Sequence, residues 1–202
     1  MAQANESIKL PAPAITGEQS LEALLQQRRS VREFPERALS MAQIGQLLWA
    51  AQGITHGDGY RTAPSAGALY PLELYVVAAH VSGLATGIYH YQPHGHTLIK
   101  TIDGDVREML AAATLSQASV EQAAAVIVFT AVTARTARKY GQRAERYVHI
   151  EVGHAAENLF LQAESLGLAT VVVGAFHDHE VSRVLHLPAE QAPMLLMPVG
   201  HK

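Results

Sequence analysis

The sequence predicts an α+β fold, and three features carry that expectation. Residues 124–130 (AAVIVFT) form an unbroken apolar run rich in β-branched residues, which suits a strand covered on both faces at the centre of a sheet. Ile88–Tyr91 and Thr97–Thr101 flank Pro93-His94-Gly95 and read as a hairpin, which breaks any regular βαβ rhythm. From about Glu145 to Leu166, Val148, Val152, Ala155, Ala156, Leu159, Phe160, Ala163 and Leu166 recur at helical spacing. A stripe that wide is expected of a core helix or of a seam between subunits.

The remaining elements follow in order. Residues 1–17 contain Pro11-Ala12-Pro13 and end in Thr16-Gly17, so they are expected to be an extended arm, with one domain over 18–202. Leu21, Leu24 and Leu25 stand one helical turn apart before Arg28-Arg29, which predicts a first helix with cations at its negative end. Ser40 and Gln43 have capping-box spacing and open a second helix, with Ile44, Leu47, Leu48 and Ala51 on its apolar face and Gly53 at its end. Leu72–Ala78 (LELYVVA) reads as a strand, and Val106, Met109 and Leu110 mark a third helix after Asp103. Ala169–Val173 and Met194–Val199 complete the strands, with a short helix near His179–Leu185 between them.

Composition excludes several classes of function. Charged residues make up 16% of the 202 residues, against about 25% in an average soluble domain, so an oligomer that buries surface is expected. A net charge of -3 gives no global basic footprint for nucleic acid or anionic membrane. The absence of cysteine removes disulfides, iron–sulfur clusters, thiolate zinc sites and a thiol nucleophile together. The longest apolar stretch, Ala123–Val132, is too short to span a bilayer, and the N-terminus lacks the order of a signal peptide, so a soluble cytoplasmic protein is expected. No phosphate-binding P-loop, dinucleotide fingerprint, HExxH helix or GxSxG elbow is present. His90, His94 and His96 lie in one hairpin, and His177 and His179 in another loop; turn histidines beside Gly and Pro are usually solvated, so no metal is expected.

Five groups of residues could carry chemistry. Arg28, Arg29, Ser30 and Arg32 form a cluster whose guanidinium forks match phosphate oxygens; the alternative is that they only offset the helix dipole. Pro64, Ser65, Ala66, Gly67 and Ala68 are small enough to let a flat ligand approach backbone, or they form a tight loop with no ligand. Gly174 and Ala175 follow the strand that ends at Val173, where a backbone N–H could face a ring atom or the strand simply stops. Lys139 and Tyr140 pair an amine with a phenol, a combination suited to acid–base work or to an ordinary surface. Glu157 and Asn158 fall within the stripe of the long helix, where a carboxylate needs a partner.

These segments, taken in order, resemble the nitroreductase superfamily and, within it, the SagB-type dehydrogenase branch. The resemblance spans about residues 21–201 and rests on RRSVREF (28–34), TAPSAGALYPLELY (62–75), GIYHY (87–91), RKYGQRAERY (138–147), EVGHAAENLFLQAESLGL (151–168), VVVGAF (171–176) and PVG (198–200). It implies an FMN-dependent oxidoreductase: a homodimer built on a central, mainly antiparallel sheet flanked by helices, with the long helix at the interface. Arg28, Arg29, Ser30 and Arg32 would hold the FMN phosphate and ribityl chain. Residues 64–68 would line the ring, from the partner chain, and Val173, Gly174 and Ala175 would bring backbone N–H groups near flavin N5. Lys139 and Tyr140 match the Lys-Tyr pair of azoline-oxidising members. Many relatives continue past the terminal glycine with another phosphate-binding cation, a role that falls here to Lys202.

The implied reaction is ping-pong hydride transfer from NAD(P)H to an electron-poor acceptor such as a nitroaromatic or quinone. Oxidation of a thiazoline or oxazoline ring is one alternative, and a non-catalytic flavin-binding module is another.

Overall fold

The computed structural model describes residues 7–202 and has a seven-stranded antiparallel sheet at its centre. Its strands are β1 (Ser7–Lys9), β3 (Leu72–Ala78), β5 (Gly87–Gln92), β6 (Thr97–Asp103), β7 (Ala125–Ala131), β8 (Leu168–Thr170) and β9 (Ala192–His201), in the spatial order β1-β6-β5-β3-β7-β9-β8. A second, two-stranded parallel sheet joins β2 (Leu39–Ser40) to β4 (Val81–Ser82). The helices are α1 (Leu21–Gln27), α2 (Met41–Gln52), α3 (Arg107–Ala113), α4 (Ala118–Gln122), α5 (Thr133–Tyr140), α6 (Ala144–Ser165) and α7 (Asp178–Val184). The architecture is α+β, as the sequence predicts.

Strand β7 shows why the sheet is buried on both faces. All seven of its residues are buried, and because side chains alternate, Ile127 and Phe129 face one core while Val126 and Val128 face the other. The first core is covered by α2 and α6, and the second by α3, α4 and α7. Ser40 opens α2 with a full capping box: its side chain accepts from the N–H of Gln43, whose own side chain accepts from the N–H of Ser40. The predicted stripe of α2, Ile44, Leu47, Leu48 and Ala51, is wholly buried. At about 1.5–3 kcal/mol for each large side chain, that face anchors α2 to the sheet.

Three differences from the sequence reading bear on the site. Residues 133–140, to which the sequence reading gives no element, form α5, which carries Lys139 and Tyr140 at its C-terminal end. The strand expected over 169–173 divides: β8 stops at Thr170, and Val173 rejoins β9 as an isolated bridge to Leu196. Part of the expected arm is a strand, with Ser7–Lys9 extending the sheet beside β6 and Ala14 exchanging two hydrogen bonds with the Gln46 side chain. Residues 1–6 of that arm lie outside the described residues. Helix α1 forms where its leucines predict, yet buries none of them; Leu21 and Leu25 are more than half exposed.

Candidate active site

Arg28, the C-cap of α1, reaches across to α6. Its guanidinium lies over the Phe160 ring at 4.9 Å, and its Nε stands 3.2 Å from Glu157 Oε1. That Nε is buried and makes no aligned hydrogen bond. Arg29 turns back on the helix end and donates to the carbonyls of Gln26 and Arg28 at 2.8 and 2.7 Å, which is the capping role foreseen as the alternative. Ser30 pairs in parallel with Thr170, and Val31 N–H donates to Thr170 O at 3.0 Å. Arg32 is exposed beside a hollow lined by Phe34, Pro35, Gln117 and Ser119. The cluster therefore spreads: Arg28 faces α6, Arg29 faces backbone, and Arg32 faces a separate hollow. Lys202 pairs with the buried carboxylate of Glu164 on α6.

The Ser30–Thr170 bridge ties the arginine segment to the strand leading to Gly174. Val173 meets Leu196 in the register that pairs Thr170 with Val199, and Val173 and Leu196 exchange hydrogen bonds of 2.8 and 3.0 Å. Val172, Gly174 and Ala175 are exposed, and a Cβ built on Gly174 meets nothing within 4 Å. Gly174 lies four positions after Thr170, about 13 Å of extended chain. A second tie joins the same segment to the C-terminal strand, because a Cβ on Gly200 would lie 2.6 Å from the Phe34 side chain.

Residues 64–68 form a separate, tightly organised loop. Ala66–Ala68 make one 3-10 turn, with Gly67, Ala68 and Tyr70 all at positive φ. Ser65 fixes the turn twice, its carbonyl accepting from Ala68 N–H at 3.0 Å and its hydroxyl from Tyr70 N–H at 2.9 Å. Lys139 and Tyr140 lie directly against it. A Cβ on Gly67 would stand 2.9 Å from the Tyr140 hydroxyl and 3.1 Å from Lys139 Nζ, so glycine is required by both its φ of 64° and this approach.

Arg135 holds α5 in place by donating to Tyr70 O at 3.1 Å and pairing with Glu73 Oε1 at 2.5 Å. Glu73 also meets His90 Nε2 at 2.8 Å, and the His90 ring stacks on Tyr75 at 4.6 Å. Burial pushes the Glu73 carboxyl up, but hydrogen bonds from His90 and Arg135, with the Arg135 charge, outweigh it and hold the group below the usual carboxylate range. Tyr140 packs edge-on against Tyr147 of α6 at 4.8 Å. Past it, Arg143, Arg146 and His149 line an exposed hollow in which Glu145 is the one acidic side chain.

Three residues beneath the loop escape a reading by motif: Arg61, Arg135 and Glu151. Glu151 had a usable signal, since it stands three residues after Val148 and four before Ala155, within the apolar stripe of α6. Glu157, which the stripe singles out instead, is nearly half exposed beside Arg28, and Asn158 borders a groove with Leu24, Trp49 and Gln162. Among the described residues, no three His, Asp or Glu side chains form a possible metal site, and no helix is long and apolar enough to cross a membrane.

The nitroreductase family profile matches residues 25–201. The chain belongs to the nitroreductase family. It is 44% identical over 197 residues to a Methanocaldococcus jannaschii protein that carries a nitroreductase name, covering 98% of each chain. A solved structure from Ralstonia eutropha, also under a nitroreductase name, superposes with a TM-score of 0.86 at 31% identity, over 98% of this chain and 91% of that one. The microcin B17-processing protein of Escherichia coli is 25% identical over 152 residues, 71% of this chain and 55% of that longer protein. Membership makes this chain a flavin-dependent oxidoreductase of the nitroreductase kind.

Proposed function

We propose that this nitroreductase binds FMN as a homodimer and transfers hydride from NAD(P)H to an electron-poor acceptor by a ping-pong mechanism. The observation that carries the reading is the contact between Lys139–Tyr140 and Gly67, which sets an amine and a phenol against a loop of small residues. Bound FMN would supply the hydride chemistry, which no side chain of this chain can perform.

The donor set suits the cofactor. Arg28 has a buried Nε with no aligned partner and a guanidinium oriented by Glu157 and Phe160, so a phosphate meets a cation already held in place. Arg28, Ser30 and Arg32 would hold the phosphate and ribityl chain, with Arg29 occupied at the helix end and Lys202 neutralised by Glu164. The exposed backbone at Gly174 and Ala175, about 13 Å along the chain from the Ser30 bridge, would offer N–H groups to the ring, whereas the N–H of Val173, also expected there, is buried and donated to Leu196 O. Pro64, Ser65, Ala66, Gly67 and Ala68 would cover the ring of the neighbouring subunit's cofactor. Lys139 Nζ and the Tyr140 hydroxyl would orient the acceptor and deliver its proton. The exposed leucines of α1 would be covered by the second subunit.

Steady-state oxidation of NADPH and NADH, with a nitroaromatic and a quinone as acceptors, tests this reading. Parallel double-reciprocal lines are expected when both substrates are varied; intersecting lines contradict the ping-pong mechanism.

Lys139 and Tyr140, together with the similarity to the microcin B17-processing protein, favour a second reading in which a thiazoline or oxazoline ring is oxidised. Lys139 would then remove the ring proton. Lys139→Ala should abolish such turnover while leaving FMN bound, and undiminished oxidation would exclude that role.

A further inference from the structure

Around and beyond the Lys139–Tyr140 pair the chain concentrates positive charge. Five of its 15 Lys and Arg side chains fall within residues 135–149, against one of its 18 Asp and Glu, Glu145. Arg135 is the one of the five held by a carboxylate; among the described residues, Arg138, Lys139, Arg143 and Arg146 pair with none. Arg143, Arg146 and His149 stand three positions apart at the start of α6, span about 9 Å along it, and line one exposed hollow. Tyr147, between Arg146 and His149 in the chain, packs edge-on against Tyr140, which ties this hollow to the end of α5 that carries the amine and the phenol. The charge does not serve the fold. Arg143 is the N-cap of α6 and Arg146 lies in its first turn, where the helix dipole repels cations, and neither side chain has a hydrogen-bond or ion-pair partner among the described residues.

Such a hollow suits a phosphate. Two guanidinium forks one helical turn apart offer donors to a group with several acceptor oxygens, His149 adds a ring N–H, and Ile150, 49% exposed, gives an apolar edge on which a base can lie. We propose that Arg143, Arg146 and His149 bind a phosphate of the nicotinamide nucleotide while its ring lies by Lys139 and Tyr140. The proposal rests on the NAD(P)H reading above. That phosphate is either the 2′-phosphate, which NADPH alone carries, or the pyrophosphate common to both nucleotides. A seam between subunits is the competing use of the same face. Unpaired like charges brought together about a two-fold axis repel, whereas the uncovered leucines of α1 give a seam an apolar surface.

Calorimetric titration of the purified protein with adenosine 2′,5′-bisphosphate, ADP and adenosine tests the proposal without turnover. At least one of the phosphate-bearing probes should bind more tightly than adenosine, with an affinity that falls as salt is added. Arg143→Ala combined with Arg146→Ala should raise the dissociation constant of that probe about tenfold or more and leave adenosine unchanged. The same variant should keep or raise Tm, because it takes cations from the positive end of α6. Glu145→Gln should tighten the probe severalfold. A loss confined to the bisphosphate assigns the 2′-phosphate and a higher KM for NADPH alone; a loss that includes ADP assigns the pyrophosphate and a higher KM for both nucleotides, in each case with kcat kept. Equal affinities in the wild type and the double variant would overturn the proposal. So would a double variant that turns a dimer into monomers, since the arginines would then belong to the seam. A flavin that neither nucleotide reduces would defeat the NAD(P)H reading instead, while the titrations still decide whether the arginines hold phosphate.

Discussion

Tyr140 stands so close to Gly67 that no side chain fits between them: a Cβ on Gly67 would lie 2.9 Å from the Tyr140 hydroxyl. Gly67 also has a φ of 64°, a conformation that costs an L-residue roughly 1 kcal/mol or more. Gly67→Ala should therefore either push Lys139 and Tyr140 away or flatten the turn. We expect FMN affinity to fall about tenfold or more, as read by fluorescence titration, with little change in overall helix content by circular dichroism.

Lys139 reaches the loop from an exposed helix end, so its removal should spare the fold. Lys139→Ala is expected to retain the visible spectrum of bound flavin and to lose about a hundredfold in the rate of acceptor reduction. Stopped-flow reoxidation of the reduced enzyme separates these quantities. An unchanged rate would assign the lysine to the surface.

Most of the frame was legible from local patterns. The capping box at Ser40 and Gln43, the alternating cover of β7 and the stripe of α6 are each encoded within one element, where periodicity reports burial directly. Segment α5 was not legible because Arg135, Arg138 and Lys139 leave it without an apolar stripe; it is helical because Arg135 is pinned by Glu73 and Tyr70, partners more than sixty residues earlier. In the same way, the leucines of α1 reveal a helix without showing that they stay uncovered in a single chain. The site divides along the same line. Arg28, the small loop and the Lys-Tyr pair stand out as residue types in sequence. The separation of Arg28, Arg29 and Arg32 into three environments, and the burial of Glu151, depend on contacts between distant segments.

The pairing of Arg28 with Glu157 and Phe160 sets a test of the phosphate anchor. Arg28→Ala combined with Arg32→Ala should release FMN, since each charge-assisted bond contributes about 1.5–3 kcal/mol. Flavin content after dialysis is the readout, and full retention would remove the anchor from this segment.

Glu73 and Glu151 predict opposite pH dependences of stability. The folded value of Glu73 is depressed, so its contribution is present above the unfolded value and lost as pH falls through the folded one. Glu73→Gln should flatten the acid side of the stability profile and cost about 1–3 kcal/mol at neutral pH. The folded value of Glu151 is raised by burial from 4.5 to about 7, so its contribution is complete below about pH 4.5 and declines as pH rises to about 7. Glu151→Gln should accordingly gain on the wild type above neutrality, by about 3 kcal/mol at most. Urea melts across the pH range measure both effects.

The central claim is that this nitroreductase holds FMN where NAD(P)H can reduce it, and the visible spectrum of the purified protein under anaerobic conditions addresses it most directly. The account predicts a yellow protein with one FMN per chain that bleaches rapidly when NADPH or NADH is added. A protein that is colourless and cannot be reconstituted with FMN, or one that stays yellow with both nucleotides, would contradict it.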